Sequence, residues 1–182
     1  MSARGHIACL GAGRMGRGIA TAFAYAGHPV TMIDIKARTA EAFAKLQSEA
    51  LGEISATFAT LARLGLLLSA DADRLMSRID VAPAGASGDV LAKTTLVFEG
   101  VPEIVDLKRE VLGAASRAVA PDVIIASTTS TILVDDLSGA VERPERFLNA
   151  HWLNPAYLIP LVEISPGKAT DPDVTARLKA LL

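Results

Sequence analysis

Three glycines with the spacing G-x-G-x-x-G separate an apolar segment typical of a strand, residues 6–10, from an alanine-rich segment typical of a helix, residues 14–25. In that setting the first glycine makes a tight turn, the second lets the backbone approach a pyrophosphate, and the third lets the helix pack closely on the strand. A pyrophosphate would lie on the helix N-terminus, whose free N–H groups and dipole favour negative charge. A glycine-rich turn that binds nothing is the alternative interpretation. The predicted cofactor-binding residues of this glycine turn are Gly11, Gly13, Arg14, Met15 and Gly16.

A second apolar segment, residues 29–34, ends in Asp34, eighteen residues after the last glycine of the turn. A carboxylate at that place accepts hydrogen bonds from an adenosine ribose and repels a 2′-phosphate, so NAD is predicted in preference to NADP. Lys36 and Arg38 follow closely, and Arg38 could instead pair with a 2′-phosphate or stack on adenine. Asp34 as a plain helix cap is the other interpretation. We expect the carboxylate to decide the choice of cofactor in favour of NAD.

Short apolar segments alternate with longer segments of helical character along the chain. This alternation predicts βαβ units and an α/β fold, a doubly wound, Rossmann-type sheet that is mostly parallel. One domain over residues 1–182 is expected, and a helical hairpin over about 37–78, with breaks near Gly52 and Gly65, is expected to project from the sheet. That hairpin either only packs against the rest of the domain or also contacts a substrate. The remaining predicted strands are residues 78–81, 95–99, 123–126, 147–151 and 161–164, and the remaining predicted helices are residues 103–119 and 171–182.

The composition excludes several classes of protein. The 182 residues carry 18 Lys and Arg against 20 Asp and Glu, so neither a nucleic acid nor an anionic membrane surface is an expected partner. A single cysteine, Cys9, cannot form an internal disulfide, and neither a signal sequence nor an apolar run of membrane-spanning length is evident. We therefore predict a cytoplasmic protein. The hydrophobic content of 51% indicates a sheet buried on both faces and apolar surface intended for another domain or subunit.

Polar side chains end or follow several apolar strands, where a doubly wound sheet binds its ligands. Glu99 ends one predicted strand, Glu103 opens the next helix, and Lys108 follows within that helix. The hydroxyl-rich segment 127–131 follows another strand, and most of its side chains are expected to form a turn and a helix cap. We expect these residues at the carboxyl edge of the sheet.

His151 and Glu163 are candidates for a catalytic pair. His151 follows an apolar segment, and Glu163 interrupts another apolar segment twelve residues later. A buried glutamate is costly without a partner, and a histidine would suit because the carboxylate can orient its ring. A structural histidine and an edge-strand glutamate are the alternative. His6 and His28 have no acidic neighbour in a patterned position and are expected to be structural, and no metal site is predicted.

Five segments occur in an order that points to one enzyme family, namely GAGRMGRGIA, MID, FEGVPEIVDLKREVL, ASTTST and NAHWLNPAYLIPLVEI. Together they resemble the NAD-binding domain of the L-3-hydroxyacyl-CoA dehydrogenases over essentially the whole chain. The block His-x-x-Asn-Pro followed by Leu-Val-Glu is a specific part of this match. Members of that family oxidise the 3-hydroxyl of an acyl-CoA to a ketone and pass the hydride to NAD, as in fatty-acid β-oxidation. The resemblance implies an NAD-dependent oxidoreductase with an acyl-CoA substrate.

The resemblance also implies a role for each matching residue. His151 becomes the general base with Glu163 as its partner, Ser130 hydrogen-bonds the substrate oxygen, and Asn154 lies beside the nicotinamide end of the site. These roles agree with the chemistry, since hydride leaves C3 only as the hydroxyl loses a proton to a base within hydrogen-bond reach. The catalytic residues implied are His151, Glu163, Ser130 and Asn154, and the further cofactor contacts implied are Glu103 and Lys108.

Two departures from the family pattern bear on the substrate and on the size of the protein. Where the family has two phenylalanines after the histidine and a Met-Lys pair before Leu-Val-Glu, this chain has Trp152-Leu153 and Ile159-Pro160. The segment YLIPLVE also resembles relatives that oxidise free 3-hydroxy acids, such as L-gulonate and L-carnitine dehydrogenases. The family's C-terminal all-helical domain, which supplies another active-site asparagine and most of the dimer contact, does not follow here, so we expect a piece of a longer, homodimeric protein. A non-catalytic NAD-binding or structural relative is the third hypothesis.

Overall fold

A seven-stranded sheet forms the centre of the computed structural model, which describes residues 4–182. Residues 1–3, which the predicted domain includes, lie outside that range. The strands are β1 (His6–Leu10), β2 (Val30–Ile33), β3 (Ile79–Ala82), β4 (Thr94–Glu99), β5 (Ile124–Ser127), β6 (Phe147–Trp152) and β7 (Val162–Pro166). The helices are α1 (Arg14–Tyr25), α2 (Ala40–Arg63), α3 (Ala72–Met76), α4 (Ser87–Leu91), α5 (Val105–Ala118), α6 (Val134–Ser138) and α7 (Pro172–Leu181).

The strand order is β3-β2-β1-β4-β5-β6-β7, and all neighbours are parallel except β6 and β7. Only residues 153–161 connect these last two strands, whereas a crossover between parallel strands needs about a dozen residues or more. The predicted doubly wound, mostly parallel sheet is confirmed, with one antiparallel edge strand. The order reverses between β1 and β4, and such sheets bind their ligands in the crevice outside the carboxyl ends of those strands.

Helices cover both faces of the sheet because alternate residues of each strand point to opposite sides. In β1, Ile7 and Cys9 face a core shared with α1, α2, α3 and α7. Ala8 and Leu10 face a second core shared with α4, α5 and α6. All four side chains are at most 3% exposed. Burial on both faces therefore accounts for the continuous apolar strands of the sequence.

The helical hairpin over 37–78 differs from the prediction in one helix break and in its packing. Helix α2 is continuous through Gly52, because a glycine inside a helix costs only about 1 kcal/mol and burial of one helix face outweighs that cost. The buried side chains of that face are Ala50, Ile54, Phe58 and Leu61. They pack α2 against α1 and β3, so the hairpin does not project from the sheet. The helix ends just before Gly65, whose φ of +72° is a conformation that glycine adopts readily.

The sequence pattern does not predict α4 and α6, each five residues long. Five residues make less than two helical turns, so they show no recognisable helical periodicity. The predicted helices 103–119 and 171–182 correspond to α5 and α7, with ends that differ by one or two residues. None of the helices described between residues 4 and 182 combines the length and the apolar character that a membrane span requires.

Candidate active site

The glycine turn joins β1 to α1 at the crevice where the strand order reverses. Gly11 has a φ of +107°, which residues with side chains rarely adopt. A Cβ on Gly16 would lie 2.1 Å from the carbonyl oxygen of Gly11, so only glycine lets α1 start this close to the turn. Gly13 is the N-cap of α1, and a Cβ added there would have no protein atom within 4 Å. This open space in front of a helix N-terminus fits a pyrophosphate group.

Arg14 and Met15 form the first turn of α1. The side chain of Arg14 is exposed and lines a groove between α1 and α2, which Asn154 also lines. The side chain of Met15 packs against the core below α1, so its backbone is the part that can face a cofactor.

Asp34 directly follows β2, at the same edge of the sheet as the glycine turn. It is 4% exposed, its Oδ1 accepts a hydrogen bond of 3.2 Å from the backbone N–H of Lys36, and its Oδ2 lies 2.5 Å from Nε of Arg38. A carboxylate has about four lone-pair sites, so Asp34 can also accept hydrogen bonds from ribose hydroxyls. An apolar groove of about 220 Å³ opens beside it and suits a flat aromatic base. The groove is lined in part by Ile33, Ile35, Leu91, Val111 and Ala114.

His151 and Glu163 face each other on adjacent strands. The antiparallel register pairs His151 of β6 with Glu163 of β7, and Nδ1 of the imidazole lies 2.7 Å from Oε2 of the carboxylate. Directly opposite residues of antiparallel strands are in contact distance, which explains how a separation of twelve residues brings the two together. The side chain of Glu163 is 59% exposed, however, so the expectation that Glu163 is buried is wrong. β7 is an edge strand, which leaves one side of this carboxylate in solvent.

Glu103 and Lys108 belong to a chain of ion pairs that begins at Glu99, the last residue of β4. Nζ of Lys108 lies 2.8 Å from Oε1 of Glu99 and 3.3 Å from Oε2 of Glu103. Glu99 is fully buried and Lys108 is 1% exposed, so the ammonium group is enclosed between the two carboxylates. Glu99 was not among the site residues predicted from the sequence. The signal for it was an acidic residue at the end of an otherwise apolar strand.

Glu103 directs its other oxygen to the hydroxyl-rich segment that follows β5. Its Oε1 accepts hydrogen bonds from the backbone N–H groups of Ser130 and Thr131, at 3.1 and 3.2 Å, and from the hydroxyls of Thr129 and Thr131. Burial alone would raise the pKa of Glu103, but the hydroxyl of Thr129 and the charge of Lys108 lower it to about 2. Glu103 is therefore an anion that fixes the backbone around Ser130.

The polar residues predicted from the sequence gather at the carboxyl edge of the parallel strands. Ser130 is exposed and follows β5, and Asn154 is exposed and follows β6. His151 lies near the end of β6, and Glu163 lies near the start of the antiparallel β7, which places the pair at the same edge. The glycine turn follows β1 at that edge. One edge of the sheet thus carries a glycine turn, a hydroxyl, an amide and an imidazole held by a carboxylate.

His6 and His28 lie at the opposite, amino edge of the sheet. His6 contacts the hydroxyl of Thr31 at 2.9 Å, and His28 contacts the carbonyl oxygen of Gly5 at 3.0 Å. These contacts join neighbouring parts of the sheet, which agrees with structural roles. In the part of the chain that the structure describes, no three His, Cys, Asp or Glu side chains are grouped so that they could hold a metal ion.

The chain is similar to proteins of one family in sequence and in structure. The model of the family "3-hydroxyacyl-CoA dehydrogenase, NAD binding domain" matches residues 6–182. The chain is 37% identical over 174 residues to the fatty acid oxidation complex subunit alpha of Psychrobacter arcticus, and 35% identical over 164 residues to the L-carnitine dehydrogenase of Streptomyces coelicolor. The crystal structure of (S)-3-hydroxybutyryl-CoA dehydrogenase from Ralstonia eutropha matches with a TM-score of 0.86 and 32% identity.

These alignments cover nearly all of this chain but only part of each relative. They include 96% and 90% of this chain for the two curated relatives, and 97% for the crystal structure. The chain spans 23% of the fatty acid oxidation subunit, 48% of the L-carnitine dehydrogenase and 59% of the Ralstonia eutropha enzyme. The chain belongs to the NAD-binding domain family of the 3-hydroxyacyl-CoA dehydrogenases, and the cofactor of this family is NAD.

Proposed function

We propose that the protein containing this chain oxidises the 3-hydroxyl of an L-3-hydroxyacyl-CoA, such as 3-hydroxybutyryl-CoA, to the ketone with NAD as the acceptor. The observation that carries the proposal is the 2.7 Å contact between Nδ1 of His151 and Oε2 of Glu163. It lies at the edge of the sheet that bears the glycine turn. A histidine oriented by a carboxylate is suited to take a proton from a hydroxyl group.

His151 is the general base of this proposal. Glu163 accepts a hydrogen bond from Nδ1–H of His151, so Nε2 is the nitrogen that takes the proton of the substrate hydroxyl. The imidazolium that forms is stabilised by the same carboxylate. When bound, NAD supplies the acceptor for the hydride that leaves C3 as the proton leaves the oxygen. His151 returns its proton to solvent through the exposed side of the pair, where Glu163 is 59% exposed.

The other site residues bind and orient. The N–H groups that follow Gly13 hold the pyrophosphate, and Asp34 accepts hydrogen bonds from the adenosine ribose. The hydroxyl of Ser130 donates to the substrate oxygen as negative charge develops on it. Asn154, which shares a groove with Arg14, orients the nicotinamide end of the cofactor. Together these contacts hold C3 near its hydride acceptor, which supplies much of the rate by proximity.

A free 3-hydroxy acid is the second candidate substrate. The segment around Trp152-Leu153 and Ile159-Pro160 departs from the acyl-CoA pattern, and the L-carnitine dehydrogenase relative is almost as similar as the fatty acid oxidation subunit. The same base and the same hydroxyl donor would serve either substrate, since the reacting carbon is equivalent. The substrates differ in the CoA moiety, which only the first candidate reaction requires.

We also propose that a helical domain covers an apolar groove beside the site and forms a homodimer. The groove has a volume of about 570 Å³, and its lining includes Trp152, Leu158, Leu161 and Leu181. Leu158 is 58% exposed and Leu161 is 50% exposed, which is typical of a surface that another domain or subunit covers. The greater length of the relatives supports the presence of such a domain.

A substrate comparison tests the proposed function. NAD reduction by the full-length protein is measured with 3-hydroxybutyryl-CoA, free 3-hydroxybutyrate and L-carnitine, with and without CoA as a competitor. Turnover of the thioester that CoA inhibits supports the first candidate. Turnover of a free acid without inhibition by CoA favours the second. NADH binding with no turnover of any 3-hydroxy substrate at any pH contradicts both and favours a non-catalytic relative.

A further inference from the structure

Glu99 is a fully buried carboxylate at the candidate active-site edge, and the proposed reaction gives it no role. A buried charge is costly unless partners hold it. Its Oε1 accepts hydrogen bonds from Nζ of Lys108 and from the backbone N–H of Val101, both at 2.8 Å. Its Oε2 accepts a hydrogen bond of 2.6 Å from the hydroxyl of Ser127. Both oxygens of Glu99 are therefore bound to groups that border the site.

Lys108 connects Glu99 to Glu103. Its ammonium group has three N–H donors, and three acceptors lie within 3.3 Å. These acceptors are Oε1 of Glu99, Oε2 of Glu103 and the carbonyl oxygen of Val101. At 1% exposure and with its three donors directed at protein acceptors, Lys108 is placed to hold Glu103.

The ion pairs of Glu99, Lys108 and Glu103 hold the turn formed by residues 127–131 at two points. Glu103 accepts hydrogen bonds from the backbone N–H groups of Ser130 and Thr131. The hydroxyl of Ser127 donates to Glu99 and accepts a hydrogen bond of 3.3 Å from the backbone N–H of Thr129. Glu99 is thus linked to the start of the turn by its hydrogen bond with Ser127. It is linked to the centre of the turn through Lys108 and Glu103.

We propose that Glu99 is a positioning residue that sets the geometry of Ser130 through these two routes. The inference rests on the proposed function, because Ser130 is there the donor to the substrate oxygen. Glu99 is fully buried, so it acts through Ser130 and not on substrate or cofactor. Its effect is expected on kcat and not on the affinity for NAD, because misplaced transition-state donors lower the rate of the chemical step.

Hydrogen exchange of the full-length protein tests the link between Glu99 and the turn. Glu99→Gln keeps the shape of the side chain and removes its charge. We expect amide exchange in residues 127–131 to accelerate by about tenfold or more, because local opening of the turn becomes easier, while exchange in β1 stays unchanged. Unchanged exchange in residues 127–131 overturns the inference. This readout needs no turnover, so it decides the matter even if the proposed function fails.

Kinetics test whether Glu99 acts through Ser130. With the substrate that the protein turns over, Glu99→Gln is expected to lower kcat by roughly 10- to 100-fold and to leave the KM for NAD within about twofold. In a Ser130→Ala background the same change should have little further effect, since the two residues act on one interaction. An equal loss of kcat in both backgrounds contradicts the inference. A rise in the KM for NAD without a loss of kcat does so as well.

A double variant separates positioning from folding. Glu99→Gln leaves Lys108 partly unpaired in the interior and is expected to lower the melting temperature. Glu99→Gln combined with Lys108→Met removes both charges, so the melting temperature should recover. We expect kcat to stay low in that variant, because Glu103 no longer has its cation. Recovery of kcat together with stability would assign Glu99 a role in folding alone.

Discussion

The carboxylate of Asp34 is paired with the guanidinium of Arg38, four residues further along the chain, with Oδ2 and Nε 2.5 Å apart. The side chain of Asp34 is 6% exposed and that of Arg38 is 31% exposed, so the cation lies on the solvent side of the pair. A carboxylate at this place would repel the extra phosphate of NADP, whereas the guanidinium of Arg38 could bind that phosphate. The choice between the two cofactors therefore depends on which member of the pair faces the ribose.

Asp34→Ser is predicted to shift cofactor preference towards NADP. The change removes the repelling carboxylate and frees Arg38 for a charge-assisted hydrogen bond, which is worth roughly 1.5–3 kcal/mol or about 10- to 100-fold in affinity. Fluorescence titration with NADH and NADPH measures the ratio of the two dissociation constants. The matched control, Asp34→Ser with Arg38→Ala, should lose NADH affinity without gaining NADPH affinity. An unchanged ratio in the single variant would show that Asp34 does not select the cofactor.

Gly13→Ala and Gly16→Ala are predicted to differ in how they impair NAD binding. An added methyl on Gly13 meets no protein atom within 4 Å, so the fold should be intact while the methyl blocks the pyrophosphate. We expect its NADH affinity to fall about tenfold or more and its melting temperature to stay the same. A methyl on Gly16 would lie 2.1 Å from a carbonyl oxygen, so this variant should lose thermal stability as well as affinity. Retained NADH affinity in Gly13→Ala would contradict the placement of the pyrophosphate.

Gly52→Ala is predicted to stabilise the protein. Gly52 lies inside the continuous helix α2, and a Cβ added there has no protein atom within 4 Å. The gain should be about 0.5–1 kcal/mol in the free energy of unfolding, because alanine loses less backbone entropy in a helix. The control is Gly65→Ala, which should destabilise, since Gly65 has a φ of +72°. Urea unfolding compares the two, and a loss of stability in Gly52→Ala would mean that the helix is broken there.

The features predictable from the sequence are those set by local chemistry. The glycine turn and Asp34 have local signatures, because the turn needs particular backbone conformations and a ribose-binding acid is expected at a strand end. The strand–helix alternation likewise gives the doubly wound sheet. The continuity of α2 through Gly52 was not predictable, because it depends on the burial of a helix face by tertiary packing.

In the candidate site, too, the predictable features are local and the others depend on tertiary packing. The pairing of His151 and Glu163 could be proposed from residue types, but the exposure of Glu163 depends on β7 being an antiparallel edge strand. The ion pairs of the buried Lys108 with Glu99 and Glu103 could not be predicted for a related reason. Its partner Glu99 lies nine residues away, and only the packing of α5 against β4 brings the two charges together. Contacts between elements decide such details, and they leave little trace in the spacing of residues.

The activity of His151→Gln tests the account most directly. NAD reduction by the full-length variant with its 3-hydroxy substrate should fall by about 10²- to 10⁴-fold in kcat, the usual contribution of a general base, while NADH affinity stays the same. His6→Gln, at the opposite edge of the sheet, serves as the matched control and should retain the activity of the wild type. A loss of only a few-fold in His151→Gln would contradict the assignment of His151 as the base that takes the hydroxyl proton.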